Sequence, residues 1–295
     1  MRATLLHNPG AGLSKPTKED LIDALSASGY KVKYQSTKEK GINWEEISRS
    51  SDVIVVAGGD GTVGKISRKL VGCNVPIGIL PVGTANNIAT SIGVKEPYNT
   101  LIPRWSLSKK KKLSAGVAEG VWGRKNFVES TGYGLFSYLM KEIYDDHPPR
   151  EKASSEEEIN FAVLRLLKML EEYKPKPYQI EVDGKDLSGE YLMVEVMNIK
   201  CIGPNLMLAP IANHEDDEFE VVLIGKNEKE HLVDYFKSIL QKQHIYLNVP
   251  YHSGRNIRMQ STSCELHIDD EVVSATKGEL VKITISPHAL EFLVV

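Results

Sequence analysis

Cysteine is nearly absent. Cys73, Cys201 and Cys264 are the only three in 295 residues, odd in number and far apart, so neither a disulfide framework nor a cysteine zinc site is expected and a reducing cytoplasm fits. Excess charge is lacking too. A net charge of -3 and a pI near 6.3 give no global reason to bind nucleic acid. No stretch approaches the roughly 18 apolar residues of a bilayer span, so no transmembrane segment is expected and membrane contact would be peripheral. The first residues, MRATLLHNPGAG, lack the charged region, apolar core and cleavage site of a secretory signal. There is no internal repeat, and the acidic SSEEE at 154–158, the nearest thing to low complexity, reads as a helix start.

What is present divides the chain in two. The length suits two domains, and 41% hydrophobic with 25% charged residues is ordinary globular composition. Up to residue 107, apolar runs at 3–6, 32–34, 53–57 and 77–80 alternate with helix-compatible segments at 18–28, 44–50 and 63–71. That alternation predicts βαβ units on a parallel sheet. Past the KKKK at 109–112, which fits a solvated loop or a contact with anionic headgroups, strand-like segments lie at 116–122, 127–130, 178–182, 191–198, 219–224, 264–268 and 281–285. Turn signals such as VDGK at 182–185 make this part antiparallel. Two helices interrupt it, one with Ala162, Val163, Leu166, Leu167 and Leu170 on one stripe, the other with Leu232, Tyr235, Phe236, Ile239 and Leu240.

The glycines concentrate where chemistry is expected. In VVAGGDGTVGKISRKL, at 55–70, Gly58, Gly59, Gly61 and Thr62 follow a strand and open a helix, where amides and the positive helix end receive anions. The spacing is neither the dinucleotide fingerprint nor the P-loop, so alone it fits a tight turn as well as a phosphate site. Asp60 points to phosphoryl chemistry, since a carboxylate beside phosphate repels it unless it binds Mg²⁺ or takes a proton. A second turn, LPVGTANNIATSIG at 80–93, offers Gly83, Thr84, Asn86 and Asn87, and a third, HNPGAG at 7–12, ends the first strand with Asn8. Strand ends of an open parallel sheet share one edge, so the three turns should converge.

With those segments the chain resembles the diacylglycerol kinase catalytic-domain family, which includes bacterial lipid kinases and sphingosine kinases. NPGAG at 8–12, GGDGT at 58–62 and PVGTANNIA at 81–89 carry the resemblance. GYG at 132–134, NLMLAP at 205–210, DDEFEVVLI at 216–224 and IDDE at 268–271 extend it in order.

The resemblance implies an α/β nucleotide-binding domain, 1–107 with 286–295 returning to it, and a β-sandwich lipid-substrate domain, 108–285, with the active site in the cleft between them. It implies ATP and Mg²⁺ as cofactors. Gly58 to Thr62 and Thr84 would hold the phosphates and ribose, Thr37 would approach the nucleoside, and Glu271 would be the acid/base carboxylate. Asp269 beside it would share its face if both lie on one strand; the plain alternative for 269–271 is an acidic hairpin turn. Asp216 matches a metal position outside the catalytic centre. Gly64, Lys65, Asn87 and Phe136 depart from the family pattern, as do Asp217 and Asp270 where glycine is common. The expected function is an ATP-dependent lipid kinase in the cytoplasm or peripheral to a membrane. Homo-oligomerisation is left open. The alternatives are a catalytically degenerate nucleotide- or lipid-binding protein and a soluble-substrate kinase of the NAD kinase type.

Overall fold

The four apolar runs of the first third become β1 (Arg2–His7), β2 (Lys31–Ser36), β3 (Val53–Gly58) and β4 (Ile77–Pro81), all parallel, in the order β2-β1-β3-β4. Between them run α1 (Lys18–Ala27), α2 (Trp44–Ser50) and α3 (Asp60–Leu70); α4 (Asn87–Ser91) and α5 (Tyr98–Leu101) follow β4. Position in the sheet follows from sequence. The continuous apolar run of β3 is buried throughout, as an inner parallel strand must be, whereas KVKYQS of β2 takes the edge, where its lysines reach water. The computed structural model describes residues 1–11, 16–146, 155–213, 215–243 and 245–295. Gly12 of the first turn and Ser154 of the acidic stretch lie outside them.

α3 starts at Asp60, three residues before the apolar periodicity does. Its first turn is the glycine loop itself, entered through an extended Gly59 (φ -90°, ψ -174°). Asp60, Gly61 and Thr62 carry no apolar signal, so periodicity could not include them.

The chain divides into two compact units, Met1–Ala115 with Pro287–Val295, and Gly116–Ser286. From β5 (Lys110–Gly120) onward the elements are β6 (Gly123–Phe127), β7 (Ser130–Gly134), α6 (Leu135–Asp146), α7 (Ser155–Glu172), β8 (Lys176–Val182), β9 (Lys185–Asp186), β10 (Gly189–Met197), β11 (Cys201–Ile202), β12 (Leu206–Met207) and β13 (Phe219–Gly225). After these come α8 (Lys229–Leu240), β14 (Tyr251–Gly254), β15 (Asn256–Ser261), β16 (Glu265–Ile268), β17 (Glu271–Ser274) and β18 (Val281–Leu293). In the second unit the strands pair antiparallel in the order β17-β16-β7-β10-β8-β15-β18, with β13 also on β10. Asp183 and Gly184, both at positive φ, make the tight turn that VDGK predicts. β18 ends in the first unit, where Phe292 pairs with Ile77 of β4.

Among the described residues the β-rich unit shows two apolar cores. One lies among strands, around Phe127 stacked on Phe219 at 5.5 Å. The other packs Leu135 and Leu139 of α6, Val163 and Leu166 of α7 and Leu232 of α8 against Met193 and Ile224 of the sheet. The third helix, α6, is a correction to the two expected. It follows GYG directly, and Gly134 at φ 103° offers no capping side chain to announce it. The lysine run is corrected as well. Lys110 to Lys112 lie in β5 rather than a loop, and Lys110 is paired with Glu291 of β18, a partner invisible locally.

Candidate active site

The three turns of the first unit meet. β1 is followed by Asn8, whose amide donates to the Ala57 carbonyl of β3 at 3.0 Å, and Asn8 Nδ2 donates to Thr62 Oγ1 at 3.0 Å. A side chain at Gly58 would collide with Thr62, its Cβ falling 2.6 Å from the threonine Cβ. Glycine is therefore required there for space. The second turn touches the first through backbone alone: a Cβ on Gly83 would lie 2.2 Å from Gly59 Cα, and one on Gly59 3.0 Å from Gly83 Cα. Asn86, left-handed at φ 53°, clasps that turn by accepting from Gly83 N at 3.0 Å and donating to Gly83 O at 2.8 Å. Thr37 follows β2 on the same edge, its amide bonded to the His7 carbonyl at 2.9 Å. His7 is buried, and burial lowers its pKa despite the opposing Glu19 charge, so it is neutral at pH 7.

This arrangement presents backbone rather than side chains to a ligand. Gly59 caps α3 with no side-chain bond, which leaves the positive helix end for an anion. Asp60 does something the sequence did not announce. Its Oδ1 accepts from Ile88 N at 3.0 Å, tying the glycine loop to α4. Asn87 is buried, 2% exposed, and Thr84 is half-buried. Lys65 is exposed one turn after Gly61, a spacing that shares a helix face.

In the second unit the acidic triplet separates into different roles, and the expectation that Asp269 and Glu271 share a strand face is corrected. Asp269 and Asp270 form the turn between β16 and β17, with Ile268 paired to Glu271. Asp269, left-handed at φ 49° and 6% exposed, turns inward. Its Oδ1 accepts from the amides of Glu129 at 2.7 Å, Val128 at 3.0 Å and Ser130 at 3.3 Å. This carboxylate is turned away from Glu271 and bonded to backbone amides of 128–130. Asp269→Asn removes the charge from that cluster and should lower stability by about 2–4 kcal/mol, as urea denaturation would measure.

Glu271 instead points outward, where its Oε2 meets Lys125 Nζ at 2.8 Å. No sequence motif marks Lys125, which reads as one polar residue of an ordinary hairpin. None marks Glu195 or His267, whose signals are a lone charge inside YLMVEVMN and a histidine in an alternating strand. Asp216 lies in an exposed turn, its Oδ1 accepting from Glu218 N at 3.1 Å. Among the described residues no three His, Cys, Asp or Glu side chains gather in a metal-binding group, and no helix is long and apolar enough to cross a membrane.

Residues 2–118 match the family described as diacylglycerol kinase catalytic domain, and residues 151–294 match that described as YegS C-terminal NAD kinase beta sandwich-like domain. The chain is 35% identical over 240 residues to a protein of Escherichia coli O127:H6 named "Probable lipid kinase YegS", covering 77% of this chain and 75% of that one. It is 26% identical to the "Diacylglycerol kinase" of Bacillus subtilis strain 168, over 96% of this chain and 93% of that protein. A crystal structure of a diacylglycerol kinase from Bacillus anthracis str. Sterne aligns with TM-score 0.72 over 99% of this chain and 96% of that one, at 19% identity, a likeness of fold.

Proposed function

The chain belongs to the diacylglycerol kinase catalytic-domain family, a family of lipid kinases, and from that premise we propose that it transfers the γ-phosphoryl group of ATP to a hydroxyl of a diacylglycerol or sphingoid-type lipid. The observation that carries this reading is the side-chain-free contact between Gly59 and Gly83, which sets two turns and the start of α3 around one space. Those residues fit a nucleotide: amides of 58–62 and the hydroxyls of Thr62 and Thr84 for the phosphates, Thr37 for the nucleoside, with Asn8 and Asn86 holding the turns. Lys65 adds positive charge near the same turn.

Mg²⁺, when bound, neutralises the phosphates and polarises the transferred group. Asp60 is the one carboxylate in these turns, so the nucleotide and water would supply the remaining ligands. We assign Glu271 as the proton acceptor for the lipid hydroxyl, with Lys125 orienting it, and Asp269 as the pin of the turn before it. Asp216 stands as a separate metal position. The substrate would be met at a membrane surface.

A second reading, a binder without turnover, draws on Asn87, which stands buried where the family commonly has a carboxylate. A footprint tests the shared first step: ATP with Mg²⁺ should slow hydrogen exchange at amides 58–62 and 83–88 at least severalfold. No protection there would reject the nucleotide site under both readings.

A further inference from the structure

A buried acid–base row crosses the sheet of the second unit. Glu195 of β10 and His267 of β16 both stand opposite Gly132 of β7, one on either side. Neither is exposed, and Glu195 Oε2 lies 2.6 Å from His267 Nε2. The bridge spans an intervening strand because Gly132 has no side chain; a Cβ there would lie 2.5 Å from Oε2. Phe136 meets the imidazole edge-on at 5.0 Å.

The second ring nitrogen makes the consequential contact. His267 Nδ1 is 3.2 Å from the Asp269 carbonyl oxygen. A carbonyl only accepts, so Nδ1 carries a proton, and one further proton sits between Nε2 and Oε2. The couple is neutral overall. Burial raises the Glu195 pKa, partly offset by His267. For His267 burial acts against the charged ring, but Glu195 and the Asp269 carbonyl outweigh it and hold the pKa above its ordinary value. Both directions keep the shared proton in place through neutral pH. Among the described residues Glu195 Oε1 is buried without a hydrogen-bond partner, so an aliphatic pair would fill the space at lower cost.

We infer that Glu195 and His267 are positioning residues that hold the Asp269 carbonyl and thereby fix the turn from which Glu271 projects. The link to catalysis rests on the assignment of Glu271 above; the hold on the turn does not. Asp269 is already fixed by its amide on Ser130 O at 2.9 Å and by its carboxylate on residues 128–130, and His267 fixes the carbonyl between them.

Two histidine variants separate the ring nitrogens. His267→Asn places an amide near Nδ1 and keeps the bond to Asp269, whereas His267→Gln places one near Nε2 and keeps only Glu195. Exchange of amides 128–130 should be at least tenfold faster in His267→Gln than in His267→Asn. Equal exchange would overturn the inference. Proton linkage reports the couple itself. The native state binds one proton, while above about pH 6.5 the unfolded histidine and glutamate bind none, so the unfolding constant should grow about tenfold per pH unit there. In Glu195→Gln the buried histidine is neutral, so that growth should vanish and stability should instead fall on acidification through about pH 6.5. Among the described residues the other charges that reach the couple are Asp269 toward His267 and Tyr178 toward Glu195. Burial pushes the phenol up to about 12, so it stays uncharged over this range. An unchanged pH slope in Glu195→Gln would overturn the shared proton. If exchange separates the variants but the parent phosphorylates no lipid, the kinase reading fails and the hold on the turn stands. If the parent is active and kcat is equal in both variants, the link to Glu271 fails.

Discussion

Gly59→Asp should lower ATP affinity at least about 100-fold while leaving the chain folded. Gly59 has φ -90° and ψ -174° as the cap of α3, a conformation open to any residue, and aspartate is among the preferred N-caps. The new carboxylate would bond the amides that the phosphates are proposed to use, and would repel the phosphates by several kcal/mol, more than the 2.7 kcal/mol that 100-fold represents. Its Cβ would press on Gly83 Cα at 3.0 Å, which a few tenths of an ångström relieves. Titration calorimetry with ATP and a thermal melt give the two readouts together. Gly83→Ala is the contrasting variant: its Cβ would sit 2.2 Å from Gly59 Cα, so the turns must separate, at about 1–3 kcal/mol of stability. Unchanged ATP affinity in Gly59→Asp would exclude this loop as the phosphate site.

Glu271→Gln should lower the phosphorylation rate by roughly 10²- to 10⁴-fold, the range for a positioned general base, with ATP and lipid binding nearly unchanged. Glutamine keeps the length of the side chain and an oxygen for Lys125, now 2.8 Å from the carboxylate, but cannot take a proton. A rise in KM with kcat preserved would instead make Glu271 a binding residue.

The first unit was legible because its signals are local. VIVVAG announces a buried parallel strand, the glycines after it announce a turn into a helix, and sheet topology alone brings Asn8, Gly59 and Gly83 to one edge. Three contacts escape that logic. Asp60 reads as a catalytic carboxylate in isolation, yet it binds the amide of Ile88, 28 residues away. Asp269 reads as the neighbour of Glu271, yet its partners lie 139 to 141 residues back, and only the folded sheet turns it inward. Glu195 and His267 are 72 residues apart, and neither carries a motif. The departures Gly64, Lys65, Asn87 and Phe136 were visible at once, but only Phe136 acquires a structural reason, as the edge that packs the His267 ring.

Phosphoryl transfer to a lipid is tested most directly by incubating the purified 295-residue chain with γ-labelled ATP, Mg²⁺ and vesicles carrying diacylglycerol or a sphingoid base, with Glu271→Gln alongside. The predicted result is label in a phosphorylated lipid with the parent chain and a rate lower by roughly 10²-fold or more with the variant. ATP bound at the glycine turns with no label in any lipid would contradict it and leave the chain a nucleotide-binding protein.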